Sequence, residues 1–336
     1  MEDITRPAPC NYIFKELLNE LNASGIEDSK VTIIVANGTH RPMTYHELLL
    51  KLGEHVYHRV QVLPHNCYDN LKYIGRTQAG TELYINSFAA EADLLIGVGG
   101  IYPHSMVGFS GGAKIVLPRI SGIQSIEQNH KIRGSGYGCV DANPIRNDIE
   151  EAAQMVGLSF IVNVVINKER SICGLFAGDP IQAHRVASQF ASNVYRTLIP
   201  IEPEVSILNA YPMDTDLFQA GKALGISEEL SSVKIHVLLA SCNDGFGYHA
   251  LCGPGGRFNQ RERNTVQKIL KGKQLIICSK NIEIYDVMKK YPDDTLLCRS
   301  WEQVIDAVNR KLGREFLNVT LFPMASIQLP AHVEMI

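Results

Sequence analysis

His40, His104, Lys114 and His130 are the side chains of this sequence whose types and surroundings are best suited to chemistry. His40 stands in Ala36-Asn37-Gly38-Thr39-His40-Arg41-Pro42, directly after an apolar run that ends at Val35. An imidazole titrates near neutral pH, so His40 suits a general base, although a histidine here would equally help to cap a following helix. His104 and Lys114 share the stretch Gly99 to Lys114, GGIYPHSMVGFSGGAK. Its glycines let the backbone approach a ligand and turn several N–H groups towards an anion, which would suit a phosphate. The spacing is neither a Walker sequence nor GxGxxG, so an anion site and a tight turn with a solvated lysine are equal readings. His130 lies in Gln128-Asn129-His130-Lys131, sixteen residues beyond Lys114, and could ligate a transition metal or simply be solvated.

Two other groupings could grip an anion. Asp3-Ile4-Thr5-Arg6-Pro7 sets a carboxylate and a guanidinium three apart, a fork suited to a carboxylate or phosphate, or else a surface ion pair. Gln219 and Lys222 stand one helical turn apart and leave the same face, where they could hold a small anionic substrate or be solvated. Cys242, His249 and Cys252 lie close in sequence among glycines but lack a fourth ligand of standard spacing, so a metal reading there is weaker than that of an ordinary loop.

The elements that must position these groups form an α/β pattern with mainly parallel sheets. Val31–Val35, Leu94–Val98 and Phe160–Ile166 are predicted strands, so His40 and the glycine-rich stretch both follow strand ends, where open α/β sheets bind ligands. Thr44–Leu52 opens with a threonine three residues before Glu47, a capping-box pattern, and Asn147–Val156 spaces Ile149, Ala152, Ala153 and Val156 on one helical face. Around Leu198–Pro203 the chain carries two prolines and no helical period, which predicts a domain boundary. Beyond it, strands are expected at Val205–Leu208, Lys234–Ala240, Leu275–Cys278 and Thr295–Cys298, and helices at Asp216–Leu224, Arg261–Leu270, Ile282–Lys290 and Trp301–Leu312. The expected organisation is a first domain over 1–198, with 318–336 returning to it, and a small doubly wound, Rossmann-like second domain over 203–315.

Bulk properties fit that organisation and exclude several functions. A chain of 336 residues exceeds one ordinary core and suggests two domains. Apolar residues at 45% and charged residues at 20% are the usage of a globular protein rather than a disordered or membrane-spanning one. A net charge of −3 with interspersed signs offers no basic stripe for nucleic acid. The first ten residues have no leader pattern and no apolar run is long enough for a membrane helix, so the sequence reads as cytoplasmic. The eight cysteines are scattered, without CxxC, and read as reduced thiols.

Taken together and in order, the motifs resemble the lactate racemase family, whose members bind a nickel pincer nucleotide derived from a pyridinium mononucleotide. The resemblance covers nearly the whole chain: DITRPAP from Asp3, GTHRPMT around His40, PHSMVGFSGGAK ending at Lys114, QNH at His130, NPIRNDIEEA from Asn143, AGDPIQAHR from Ala177 and DLFQAGKAL at 216–224. It implies a racemase or epimerase of a 2-hydroxy acid that works by reversible hydride transfer, with cofactor-biosynthesis enzymes needed for maturation. It implies His40 and His104 as the two acid/base residues, Lys114 as the covalent anchor of the cofactor through a thioamide, and His130 as the nickel ligand. Asp3, Ile4, Thr5 and Arg6 match the cofactor-contacting segment, Arg6 also lying near the substrate carboxylate, and Gln219 and Lys222 match the substrate-binding pair. Two departures stand out. The leading motif begins at Asp3, where related chains carry some tens of residues before it, so a late start or a shortened paralogue lacking edge strands is expected. Arg119, in LPRISG, replaces the family's usual glycine, and should narrow the cofactor pocket or bring an extra charge to the substrate. The alternative function is a shortened, non-catalytic member that binds a nucleotide or metabolite.

Overall fold

The computed structural model describes residues 1–251, 259–313, 317–333 and 335. The chain divides into two units, Met1–Val194 with Val333–Ile336, and Tyr195–His332. It is an α/β protein with mainly parallel sheets. Among the described residues, no helix is long and apolar enough to cross a membrane.

In the first unit, β1 (Thr32–Val35) pairs in parallel with β2 (Gln61–Pro64), and β3 (Leu71–Arg76) forms an antiparallel hairpin with β4 (Glu82–Asn86). β5 (Leu95–Gly100) leads into a small sheet of β6 (Pro103–His104), β7 (Val107–Phe109) and β8 (Gly136–Tyr137). β9 (Leu158–Ile166) then pairs in parallel with β5 and antiparallel with β10 (Ile172–Gly178). Met1 and Glu2 stitch the two sheets of β1 and β5 together. The Met1 amine donates to the Ile34 carbonyl at 2.8 Å, the Ala36 N–H to Met1 at 2.7 Å, and the Glu2 N–H to Val98 at 3.1 Å. Asp3 therefore leaves this inserted segment beside the carboxyl end of β1, where the loop carrying His40 begins.

The helices are set by local chemistry as well as by their apolar faces. Helix Tyr45–Leu52 starts where the capping box predicts: the Glu47 N–H donates to Thr44 Oγ1 at 3.3 Å, and the Thr44 N–H to Glu47 Oε2 at 2.7 Å. Arg41 adds a two-pronged clamp on the same carboxylate at 2.8 and 2.6 Å. The Arg41 bond, set against partial burial, holds the Glu47 carboxyl down at about 2. Helix Pro144–Val156 takes proline at its first turn and ends on left-handed Gly157, which fits the preferences of helix ends. Its Asp148 is buried and accepts from Thr77 Oγ1 at 2.5 Å, Thr81 Oγ1 at 2.8 Å and Asn129 Nδ2 at 2.7 Å. This one carboxylate ties the β3–β4 hairpin to helix Ile123–Asn129.

The second unit holds a short parallel pair, β11 (Arg196–Thr197) with β17 (Leu329–Pro330), and a five-stranded parallel sheet. The sheet comprises β12 (Val205–Asn209), β13 (Ile235–Leu239), β14 (Gln274–Cys278), β15 (Leu296–Cys298) and β16 (Val319–Phe322), in the order β15-β14-β13-β12-β16. Leu208, Leu238 and Ile277 pack on one face against helices Asn259–Leu270 and Ile284–Lys290 through Val266 and Val287. Val237 and Ile276 pack on the other against Val304 and Val308 of helix Trp301–Leu312. Helices on both faces make this a doubly wound domain.

Two expectations need correction here. The stretch 318–336 was expected to rejoin the first domain, but Val319–Phe322 pairs in parallel with Val205–Leu208, completing the second unit's sheet. Only 333–336 group with the first unit. The helix expected over Asp216–Leu224 is one α-turn, Leu217–Ala220, followed by a 3-10 stretch, Gly221–Glu229. At the junction a Cβ on Gly221 would stand 2.8 Å from the Lys290 amine, so that side chain would have to shift for a larger residue.

Thr44→Ala removes the side-chain half of the capping box and should cost about 1 kcal/mol. A lowered midpoint of denaturant unfolding is the expected result; an unchanged midpoint would assign the helix start to the Arg41–Glu47 clamp instead.

Candidate active site

His40 is brought together with the whole Asp3–Arg6 segment. Its Nδ1 lies 2.6 Å from Asp3 Oδ2 and 3.3 Å from Thr5 Oγ1. A carboxylate only accepts, so Nδ1 carries the proton and Nε2 is the basic nitrogen. Thr5 donates to Asp3 Oδ1 at 2.6 Å, and Arg6 donates to the Thr5 hydroxyl at 2.9 Å and to the Thr5 carbonyl at 3.1 Å. Ile4 is half-buried in the turn between them. Burial would raise the Asp3 carboxyl, but His40, Arg119 and Arg6 outweigh it and hold the group well below the usual carboxylate range. Burial pushes His40 below its ordinary value, with Arg6 and Arg119 acting in the same direction and Asp3 against them. The result is an ionised Asp3 orienting a neutral imidazole, the arrangement a general base needs.

Lys114 sits in the 3-10 turn Gly112–Ile115 and is buried at 9% exposure. It lines a recess with Glu2, Gly100, Gly112, Arg119 and Asn163. The turn is held from behind. Gly112 N–H donates to Asn163 Oδ1 at 2.7 Å, and the His184 Nε2–H donates to the Ser110 carbonyl at 2.9 Å. Arg146 donates through Nε to the Val107 carbonyl at 2.9 Å and through Nη2 to that of Phe109. Gly112 has φ +59°, and a Cβ there would lie 2.8 Å from the His184 ring, so only glycine fits. The stretch is thus a built loop rather than a solvated turn.

His104 ends β6, and its Nδ1 accepts the Met106 N–H at 3.2 Å. Its neutral form therefore carries the proton on Nε2, the opposite tautomer to His40. His130 stands on a separate element, at the end of helix Ile123–Asn129, and its Nδ1–H donates to the Ile126 carbonyl at 2.8 Å. That bond puts the lone pair on Nε2, the nitrogen that could ligate a metal, and the backbone carbonyl fixes the ring's orientation. The chain after His130 forms β8, which pairs with β7 in the sheet that also contains His104.

In the second unit, Gln219 is buried, its N–H donating to Asp216 Oδ1 at 2.7 Å, and the Lys222 ammonium donates to Gln219 Oε1. The two are brought together as their spacing implied. Burial, its largest influence, pushes the Cys242 thiol up to about 12. Cys252, the third member of that sequence grouping, lies outside the described residues.

Sequence reasoning missed three positioning groups. Glu2 is a buried hub: its carboxylate accepts from Ala8 N–H at 3.0 Å, Gly100 N–H at 2.8 Å, Lys51 Nζ at 3.3 Å and Tyr102 O–H at 3.4 Å. Asp148 and Asn163 were read only as members of helical and strand patterns. Arg119, noted as a departure, reaches Asp3 Oδ1 at 3.4 Å and the Ala36 carbonyl at 3.3 Å. Asp148 and Asn163 share one signal: a polar side chain at a position where its neighbours' period demands an apolar one.

Residues 1–136 match the family described as the lactate racemase N-terminal domain. The chain is 36% identical over 262 residues to the lactate racemase of Lactiplantibacillus plantarum, taking in 74% of this chain and 62% of that protein. It is 34% identical over 254 residues to the lactate racemase of Thermoanaerobacterium thermosaccharolyticum, taking in 73% of this chain and 59% of that one. It thus spans about three fifths of the length of these relatives. Its structure is similar to that of the lactate racemase apoprotein from T. thermosaccharolyticum, with a TM-score of 0.78 and 26% identity, over 98% of this chain and 85% of that one. A Thermotoga maritima protein, 18% identical, shares the fold with a TM-score of 0.72 over 96% of this chain and 90% of its own. Residues 1–136 are thus a lactate racemase N-terminal domain, and the chain is similar to lactate racemases over about three quarters of its length.

Proposed function

We propose that this protein racemises or epimerises a 2-hydroxy acid of the lactate type, using a nickel pincer nucleotide held covalently at Lys114 and ligated by His130. The observation that carries the reading is the pair of opposite tautomers. His40, locked by Asp3, presents a basic Nε2, while His104, locked by the Met106 N–H, presents an Nε2–H. Inversion in either direction needs one group that takes a proton and another that gives one: the oriented Nε2 lone pair of His40 can take it, and His104 gives one from Nε2 as the imidazolium.

The chain fits the cofactor on its own evidence. Lys114 lines a recess walled by glycine backbone, with a loop shape that a Cβ at Gly112 would destroy. His130 offers one oriented imidazole, and among the described residues no three metal-binding side chains cluster, so a metal here takes its remaining donors from the bound group. When bound, the pincer nucleotide supplies reversible hydride acceptance, which avoids removing a weakly acidic Cα–H as a proton.

The protein's own part is proton movement and orientation. His40 Nε2 takes the hydroxyl proton of one enantiomer as the carbinol carbon is oxidised to a 2-keto acid, and the charge it gains is stabilised by Asp3. His104, entering as the imidazolium, returns its Nε2 proton to the oxygen when the carbon is reduced from the other face; His40 then sheds its proton to solvent and His104 regains one, so that protons balance over the cycle. Arg6, beside the Asp3–His40 pair, holds the substrate carboxylate, so that the keto acid stays oriented between the two steps.

In material from a host that makes the cofactor, intact mass should show a covalent adduct that Lys114→Ala abolishes, with about one nickel per chain. His130→Ala should lose nickel and His104→Ala should keep it. Absence of adduct and metal from the wild-type chain would instead support a non-catalytic binding protein.

Asp3→Asn keeps the shape of the site but allows the wrong His40 tautomer, and should lower kcat by on the order of 10²- to 10⁴-fold. Because His40 titrates below its ordinary value of 6.5, wild-type kcat/KM should hold at pH 6.5 and fall only as pH drops further and His40 gains a proton. An acidic limb above pH 7 would count against His40 as the base.

A further inference from the structure

We propose that Arg119 is a positioning residue that keeps the Asp3–His40 pair in its carboxylate and neutral imidazole form. Its functional meaning rests on His40 being the base of the proposed reaction, but its physical content does not.

Asp3 divides its two oxygens. Oδ2 faces His40 Nδ1 at 2.6 Å, while Oδ1 takes the Thr5 hydroxyl at 2.6 Å and the Arg119 guanidinium at 3.4 Å. A buried carboxylate next to an imidazole ordinarily draws a proton onto the ring and makes an ion pair. Here burial of the ring, the largest influence on it, works against that, and the cations that face the pair add to it. Arg6 comes from the N-terminal segment and Arg119 from the loop before helix Ile123–Asn129, and both act on Asp3 and on His40. The other charged groups nearby are already matched: Glu2 by Lys51, and Arg41 by Glu47. Protonating His40 would place three cations around one buried carboxylate, a cost that grows as the local dielectric falls.

Arg119 also fixes the turn that carries His40. Its carbonyl accepts the Gly38 N–H at 2.9 Å and its Nη1 donates to the Ala36 carbonyl at 3.3 Å. The first of these is a backbone bond that survives a side-chain change. Replacing the side chain therefore removes charge while leaving one of the two turn contacts in place.

The test is a titration of the full-length protein, without cofactor or substrate, labelled with ¹³C-histidine; the His40 ring signal is identified by its loss in His40→Gln. Arg119→Met should move the His40 midpoint to higher pH, because Asp3 loses a counter-charge and His40 loses a repelling cation, and Arg119→Lys should stay near wild type. A midpoint that stays put or falls in Arg119→Met overturns the proposal. Should that variant fail to fold, Arg119→Gln carries the same expectation. The wild-type protein gives a test of its own: ¹⁵N shifts showing His40 as an imidazolium at pH 7 also overturn it. The titration needs no turnover, so it can succeed in a protein that racemises nothing and fail in one that does.

Discussion

The first unit depends on two successive buried carboxylates pointing opposite ways. In extended backbone, neighbouring side chains leave on opposite faces, so Glu2 and Asp3 cannot serve the same partners. Glu2 turns into the frame, where four donors from the N-terminal segment, the end of β5, helix Tyr45–Leu52 and Tyr102 satisfy it. Asp3 turns towards His40. A buried charge left unpaired costs several kcal/mol, so each carboxylate compels its neighbours into place as much as it is held by them. Lys51 shows the same coupling from the other side: its ammonium is buried and bonds the carbonyls of Arg6 and Ala8 as well as Glu2. The backbone that presents Arg6 is therefore fixed by a lysine that need never touch a ligand.

Three histidines of one unit are held in three different ways, and the holding group decides what each ring can do. A carboxylate on Nδ1 gives His40 a basic Nε2, an N–H on Nδ1 gives His104 an Nε2–H, and a carbonyl on Nδ1 gives His130 an Nε2 lone pair. His184 is the contrasting case. It is fully buried, its Nε2–H is spent on the Ser110 carbonyl, and burial holds it well below the ordinary range. Its work is to shape the Lys114 loop, which explains why a histidine within a recognisable motif need not touch the chemistry.

What could be read from the sequence was what depends on near neighbours. The capping box at Thr44, the apolar runs that became β1, β5, β9 and β12 to β15, and the one-turn spacing of Gln219 and Lys222 are all local signals. The partners of Glu2, Asp148 and Arg119 lie as far as 100, 71 and 116 residues away in the chain, and no window of sequence reports such contacts. The placement of Val319–Phe322 failed for the same reason: a short apolar strand carries no mark of which sheet it joins. The Asp216–Leu224 segment is helical but tightens to 3-10 after one α-turn, a change that residue spacing does not report.

Charge balance around the recess links the frame to the proposed chemistry. Lys51 matches Glu2, while Arg6 and Arg119 both act on Asp3, so that these two guanidiniums exceed that one carboxylate by one charge. A buried site with one positive charge in excess favours a monoanion over a neutral hydroxy compound, which is the charge that a 2-hydroxy monocarboxylate brings. The same excess discourages protonation of His40 until an anion arrives. Substrate binding would then supply the charge that makes it easier for His40 to accept the hydroxyl proton, coupling recognition of the carboxylate to the first proton transfer.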